Sequence, residues 1–76
     1  MIKFRLILKN SNIYRYEYFS LNEEDKGVVE FNFLEEKINI IKKCESAEAS
    51  EWSLFWALKE AFKRNKLKDS GTVGWY

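Results

Sequence analysis

Two neighbouring stretches near the start of the chain alternate apolar and polar side chains, and this alternation constrains the fold more than any other feature. The first stretch is residues 2–8 and the second is residues 13–19, with Asn10-Ser11-Asn12 between them. Alternation over this length is typical of a β-strand with one buried face. Asn and Ser favour turns because their side chains hydrogen-bond to nearby backbone groups, and Asn tolerates a positive φ. The pattern therefore predicts a β-hairpin.

The register of this hairpin follows from keeping its large apolar residues together. A three-residue turn places them on one face, through the pairs Phe4–Tyr18, Leu6–Tyr16 and Leu8–Tyr14. A two-residue turn instead brings Leu8 beside Arg15, because a shift of one residue exchanges the two faces of a strand. We therefore predict the three-residue turn.

A second hairpin is predicted from the segments VVEFNFL and KINIIKK, which flank Glu35-Glu36. A turn of even length places Val29 on one face with the pairs Phe33–Ile38 and Phe31–Ile40. Two glutamates suit the positive φ of a two-residue turn poorly. A four-residue turn, residues 34–37, keeps the same pairs and is the alternative.

The run from Ala47 to about Asn65 contains neither Gly nor Pro and is predicted to form a helix. Ser46 is its expected N-cap. Acidic residues near its start and basic residues near its end suit the helix dipole; they are Glu48, Glu51, Lys63, Arg64 and Lys66. One face of this helix is apolar and comprises Leu54, Phe55, Leu58, Ala61 and Phe62.

The predicted fold class is α+β. It consists of a four-stranded antiparallel sheet made from two hairpins, one C-terminal helix packed on one face, and a short docked or strand-like tail. The sheet face expected under the helix carries Phe4, Leu6, Tyr16, Phe31, Phe33 and Ile40. A chain of 76 residues has room for a single domain, residues 1–76.

Two groups of apolar residues remain outside this core. The outer face of the sheet is predicted to carry Ile7, Ile13, Phe19, Val28 and Ile41, mixed with Lys3, Arg5, Arg15, Glu17 and Glu30. Such a face is either solvated, as on many antiparallel sheets, or an interface for a protein partner or a second copy of the chain.

The second group combines Trp52 and Trp56, one helical turn apart, with Trp75 and Tyr76 at the C-terminal end. The tail either returns to pack against the two helical tryptophans and completes the core, or the four rings form an exposed binding site. Trp and Tyr are enriched at the residues that dominate protein interfaces.

Most catalytic and metal chemistry lacks its usual residues in this sequence. It contains no histidine and one cysteine, Cys44, so a general base, a structural zinc site and a redox pair are not expected. The acidic groups Glu23-Glu24-Asp25 and Glu35-Glu36 lack the ligand spacing of a calcium loop. We expect no enzyme activity, no cofactor and no metal.

The expected function is a small non-enzymatic protein-binding module of the adaptor or inhibitor type, with homodimerisation through the outer sheet face as one form. The expected binding residues are Ile7, Ile13, Phe19, Arg5, Arg15, Trp52, Trp56, Trp75 and Tyr76. The alternative is a sheet that binds single-stranded nucleic acid through basic and aromatic side chains, although the net charge is only +1. The single cysteine, the absence of a signal-peptide pattern and the short apolar runs lead us to expect a cytoplasmic protein that does not enter a membrane.

Overall fold

The computed structural model describes residues 2–20, 24–44 and 51–73, which form an antiparallel sheet with one helix. The elements are β1 (Ile2–Asn10), β2 (Ile13–Phe19), β3 (Gly27–Asn32), β4 (Lys37–Lys42), α1 (Glu51–Lys63) and β5 (Ser70–Val73). The strand order is β4-β3-β2-β1-β5, so β4 and β5 are the edges of the sheet. The predicted α+β class is confirmed, but the sheet has five strands and not four.

The fifth strand comes from the segment that the sequence predicted as a docked or strand-like tail. β5 pairs antiparallel with the first half of β1, and the N–H of Leu6 donates to the carbonyl of Asp69 at 2.6 Å. Gly71 lies opposite Phe4, and a Cβ at this glycine would lie 3.1 Å from the tip of the Phe4 ring. The glycine therefore lets the aromatic ring pack directly on the strand backbone.

The first hairpin has a two-residue turn, so the predicted three-residue turn is wrong. Asn10 pairs with Ile13, and Ser11 has a φ of 56°. A positive φ in the turn matches the right-handed twist of the strands that it joins. A two-residue turn conflicts with a common apolar face only if β1 is regular along its whole length.

A β-bulge at Ile7 explains how the two-residue turn is compatible with a common apolar face. The register shifts between Leu6 and Leu8, because a bulge places one extra residue in one strand. The predicted pairs Phe4–Tyr18 and Leu6–Tyr16 therefore form. Beyond the bulge Leu8 pairs with Arg15 and not with Tyr14, so Leu8 belongs to the outer face.

The second hairpin is offset by two residues from the predicted register. Its inward pairs are Phe31–Ile38 and Val29–Ile40. The turn comprises residues 33–36, since Asn32 pairs with Lys37. The side-chain oxygen of Asn32 stabilises this turn by accepting hydrogen bonds from the N–H groups of Leu34 at 3.1 Å and Glu35 at 3.0 Å. An offset of two keeps each residue on its predicted face. Ile40 was predicted to lie under the helix, but it is 46% exposed.

The core is an aromatic layer between α1 and the inner face of the sheet. The predicted helical stripe faces this layer: Leu54, Phe55 and Leu58 are buried, while Phe62 packs at its border. The ring of Phe55 lies 5.3 Å from that of Phe31 and 5.7 Å from that of Phe33, measured between centroids. These offset and edge-to-face contacts stabilise the layer beyond the apolar area that it buries.

The helix ends at a backbone motif centred on Asn65. This residue has a φ of 57°, its N–H donates to the carbonyl of Phe62, and the N–H of Lys66 donates to the carbonyl of Ala61. Such a left-handed residue satisfies the last helical carbonyls and turns the chain back toward the sheet. The predicted start of the helix, including Ser46 and Glu48, lies outside the described residues. No helix within those residues is long and apolar enough to cross a membrane.

Two buried tyrosines on β2 differ in how their hydroxyl groups are satisfied. Tyr18 donates to Oε1 of Glu51 at 2.6 Å and accepts from the N–H of Cys44 at 3.3 Å, so it anchors the start of α1. Its ring lies against Gly27, where an added Cβ would come within 2.5 Å of it. The hydroxyl of Tyr16 has no hydrogen-bond partner in the described structure. Burial raises the pKa of both hydroxyl groups.

Replacing Phe31, which is fully buried, tests the core. We expect Phe31→Ala to lower the free energy of unfolding by about 3–5 kcal/mol, because it leaves a cavity at the centre of the aromatic layer. Since this approaches the total stability of a small domain, Phe31→Leu is the milder variant, with a loss of about 1–1.5 kcal/mol. Urea denaturation measures both, and Leu34→Ala, which alters an exposed residue, is the control. Equal stability of the Phe31 and Leu34 variants would contradict this core.

Removing each tyrosine hydroxyl should have opposite effects. Tyr16→Phe removes a buried hydroxyl without a partner and should raise the free energy of unfolding by about 1 kcal/mol. Tyr18→Phe deprives the buried carboxylate of Glu51 of its hydrogen-bond donor. This change should lower the free energy of unfolding by about 1–3 kcal/mol. Urea denaturation of the two variants at pH 7 provides the comparison. A loss of stability in Tyr16→Phe would show that its hydroxyl is satisfied in solution.

Candidate functional site

The two tryptophans of α1 are the largest exposed apolar side chains near the core. Trp52 is 55% exposed and Trp56 is 53% exposed. Their rings contact the edge of the buried Phe55 ring, with centroids 6.0 Å and 5.5 Å away. We call Trp52, Trp56 and the supporting Phe55 and Lys59 the tryptophan flank. Phe55 supports both indoles, and more than half of each tryptophan remains exposed.

Lys59 supports the flank from the side of the second hairpin. Its side chain is only 5% exposed, and its Nζ lies 4.8 Å from the centroid of the Trp56 ring and 5.9 Å from that of Phe55. The same amino group donates a hydrogen bond to Oε1 of Glu36 and forms an ion pair with it. A buried lysine needs such a partner, because an unpaired buried charge is strongly unfavourable. Lys59 thus links the turn between β3 and β4 to the helix.

The hydrogen bond from Lys59, together with its positive charge, lowers the pKa of Glu36. Glu36 sits at a φ of 57°, so the turn presents its carboxylate to the helix in an uncommon backbone conformation. From the sequence, Glu35-Glu36 was predicted only to form a turn. The contact of Glu36 with Lys59 was not predicted, because the two residues lie 23 positions apart in the chain.

Strand β4 extends the apolar surface beside the tryptophan flank. Among the strands, β4 is the one that the helix backbone approaches most closely. Ile40, on the inner face of β4, is 46% exposed, and among the described strands β4 neighbours β3 alone. An edge strand with exposed apolar residues is a common site of association. The described structure therefore brings together the flank and an open sheet edge.

The outer face of the sheet carries ion pairs at its centre. Arg5 lies 2.5 Å from a carboxylate oxygen of Glu17, and Arg15 donates to Oε2 of Glu30 through Nε at 3.0 Å and Nη2 at 2.7 Å. The hydrogen bond from Arg15 lowers the pKa of Glu30. Both predicted binding arginines thus have carboxylate partners within this protein.

These ion pairs also separate the apolar residues that were predicted to form an outer patch. Along β2, Arg15 and Glu17 lie between Ile13 and Phe19, and both of these apolar residues are half-buried. Ile7 is 43% exposed but occupies the bulge of β1. The structure therefore divides the predicted outer set and does not gather it into one apolar surface.

The remaining predicted binding residues, Trp75 and Tyr76, lie outside the described residues. Cys44 is buried, and its thiol donates to the carbonyl of Asp25 at 2.8 Å. In residues 2–20, 24–44 and 51–73, no three Cys, Asp or Glu side chains are grouped so that they could hold a metal ion.

Comparison of the chain with protein-family models, with curated proteins and with solved structures finds no match. The geometry of the described residues is therefore the basis for a functional assignment.

The ion pair between Lys59 and Glu36 predicts a specific dependence of stability on pH. Because the pKa of Glu36 is lowered from 4.5 in the folded protein, its stabilising effect is complete above that value and is lost as the pH falls through the lower folded pKa. We expect stability to fall less between pH 5 and pH 2 in Glu36→Gln than in the wild type. Urea denaturation across this range measures the effect, and Glu35→Gln in the same turn is the control for loss of one charge. Identical profiles for Glu36→Gln and the wild type would contradict it.

Proposed function

We propose that this protein is a small, non-enzymatic protein-binding module whose binding surface is the tryptophan flank. The observation that carries the proposal is the pair of indoles that stay more than half exposed although each contacts the core ring of Phe55. Large aromatic side chains that are held rigidly at the surface lose little conformational entropy when a partner covers them. This arrangement is typical of residues that dominate a protein interface.

The support for the flank is stronger than the support for the outer sheet face. Covering the outer face would bury the pairs Arg5–Glu17 and Arg15–Glu30, and burying charged groups is costly even when they are paired. Trp52 and Trp56 carry no charge, and their indole N–H groups can bind either water or a partner. Homodimerisation through the outer face is correspondingly less favoured.

The ion pairs of the outer face also weaken the case for single-stranded nucleic acid. A sheet that tracks a phosphate backbone needs cationic groups that are free to replace counterions. Arg5 and Arg15 are instead engaged by glutamates, and Lys3 lies over the ring of Phe19 at 5.9 Å from its centroid. Three cationic groups of this face are therefore engaged within the protein.

The double variant Trp52→Ala/Trp56→Ala tests the proposal. Each indole should contribute at least about 2 kcal/mol to binding, which corresponds to about 30-fold in affinity. Affinity purification identifies the proteins bound by the wild-type chain, and calorimetry with each purified candidate measures its affinity for the wild type and the variants. Thermal melting checks that the variants fold.

The matched control is Ile7→Ala/Ile13→Ala on the predicted outer set. The proposal holds if a defined protein binds the wild type and this control alike but loses affinity for the tryptophan variant. Loss of binding in the control alone would favour the outer face. Tight binding of a single-stranded oligonucleotide that weakens steeply with salt would favour the nucleic-acid function.

A further inference from the structure

We propose that β4 binds an extended, acidic peptide segment as an additional strand, and that apolar side chains of this segment contact the tryptophan flank. This inference rests on the proposed function and adds to it the partner's conformation and charge. The occupant is thus a segment of another protein in which acidic and apolar residues alternate.

The open edge of β4 supplies the backbone groups that an added strand needs. Within the described part of the chain, β4 pairs with β3 alone. The N–H and C=O groups on the other side of an edge strand can pair with an extended peptide, and this mode of recognition derives its affinity from main-chain hydrogen bonds. The pockets for alternate side chains then determine the sequence that binds.

The two faces of β4 differ in chemistry. Lys37 and Lys42 pair with the outward residues Asn32 and Val28. They share the outer face because an irregularity of the register leaves Ile41 as an extra residue between Ile40 and Lys42. The inner face of β4 is apolar and carries Ile38 and Ile40. Side chains of a strand alternate between the faces of a sheet. A peptide with acidic residues on one side and apolar residues on the other would complement both faces of β4 at once.

The charges around this edge favour an acidic occupant. Lys42 and Lys43 form no ion pair with any residue in the described parts of the chain, and Lys37 pairs only with the exposed Glu35. An exposed pair of this kind contributes little and leaves the lysine available. Charge complementarity therefore points to carboxylates on the partner.

The two tryptophans lie on the same side of the sheet as the inner face of β4. Ile40 is 46% exposed, and Trp52 and Trp56 are exposed on the helix that approaches β4. The ion pair between Lys59 and Glu36 lies at the turn end of β4. An apolar side chain of an added strand would meet a surface formed by the isoleucine and the indoles.

A second copy of the chain is a poor occupant of the same edge. Two antiparallel copies of β4 would bring Lys37 and Lys42 of both copies to one shared edge. Like charges that are held close together repel each other. The lysines that attract an acidic segment thus disfavour self-pairing.

A displayed library of random twelve-residue peptides, selected on the immobilised full-length chain, tests this inference. We expect enriched peptides to alternate acidic and large apolar residues. The best peptide, made synthetically, should slow hydrogen exchange of β4 amides at least about tenfold and shift the indole signals of Trp52 and Trp56 in NMR spectra.

Charge reversal separates the role of this edge from a general effect of charge. Lys37→Glu/Lys42→Glu should weaken binding at least about tenfold, whereas Lys66→Glu/Lys68→Glu, which makes the same change in net charge at two other exposed lysines, should leave affinity within about threefold. Equal affinities for the two double variants would overturn the inference. Enrichment of basic or helix-patterned peptides, or of none, would also overturn it, and so would dimerisation of the free chain through β4.

Two outcomes distinguish failure of this inference from failure of the proposed function. If a peptide shifts both indole signals but does not protect β4 amides, strand addition is wrong and the flank remains a binding surface. If a peptide protects β4 amides and retains its affinity for Trp52→Ala/Trp56→Ala, the edge binds a strand and the role of the flank is wrong.

Discussion

The packing of Phe55 against the sheet is the contact on which the rest of this structure depends. A single helix, Glu51–Lys63, has to cover the inner face of a five-stranded sheet. Phe55 contacts Phe31 and Phe33 on the sheet side and both tryptophans on the helix side. One ring therefore sets the position of the helix and the orientation of the exposed indoles.

Although α1 approaches β4 more closely than the other strands, part of the inner face of β4 remains exposed. Val29 is fully buried, whereas Ile40, its partner on β4, is nearly half exposed. The opposite edge is different, because β5 pairs with β1 and Val73 and Leu67 pack against the core. The placement of the described helix thus leaves Ile40, Trp52 and Trp56 exposed.

Charged residues take two different roles in this fold. Arg5 and Arg15 are paired with glutamates on the sheet, and Lys59 is buried against Glu36, so these charges are used within the protein. The exposed lysines at the end of β4, Lys42 and Lys43, have no such partner among the described residues. A net charge of +1 conceals this difference. The local arrangement of charge, and not its sum, distinguishes a surface suited to an acidic partner from a neutralised one.

The sequence by itself determined the element types, the inward residues of β2 and β3 and the apolar stripe of the helix, because side-chain periodicity depends only on local backbone geometry. It did not determine the bulge at Ile7, which moves Leu8 to the outer face. It did not determine the offset of the second hairpin either, since a register shifted by two residues preserves the same faces. Trp52 and Trp56 were predicted as binding residues, but the sequence left open what supports them. The link between Lys59 and Glu36 and the open edge at β4 were decided only by the tertiary structure, because both depend on where the helix lies across strands that are distant in the chain.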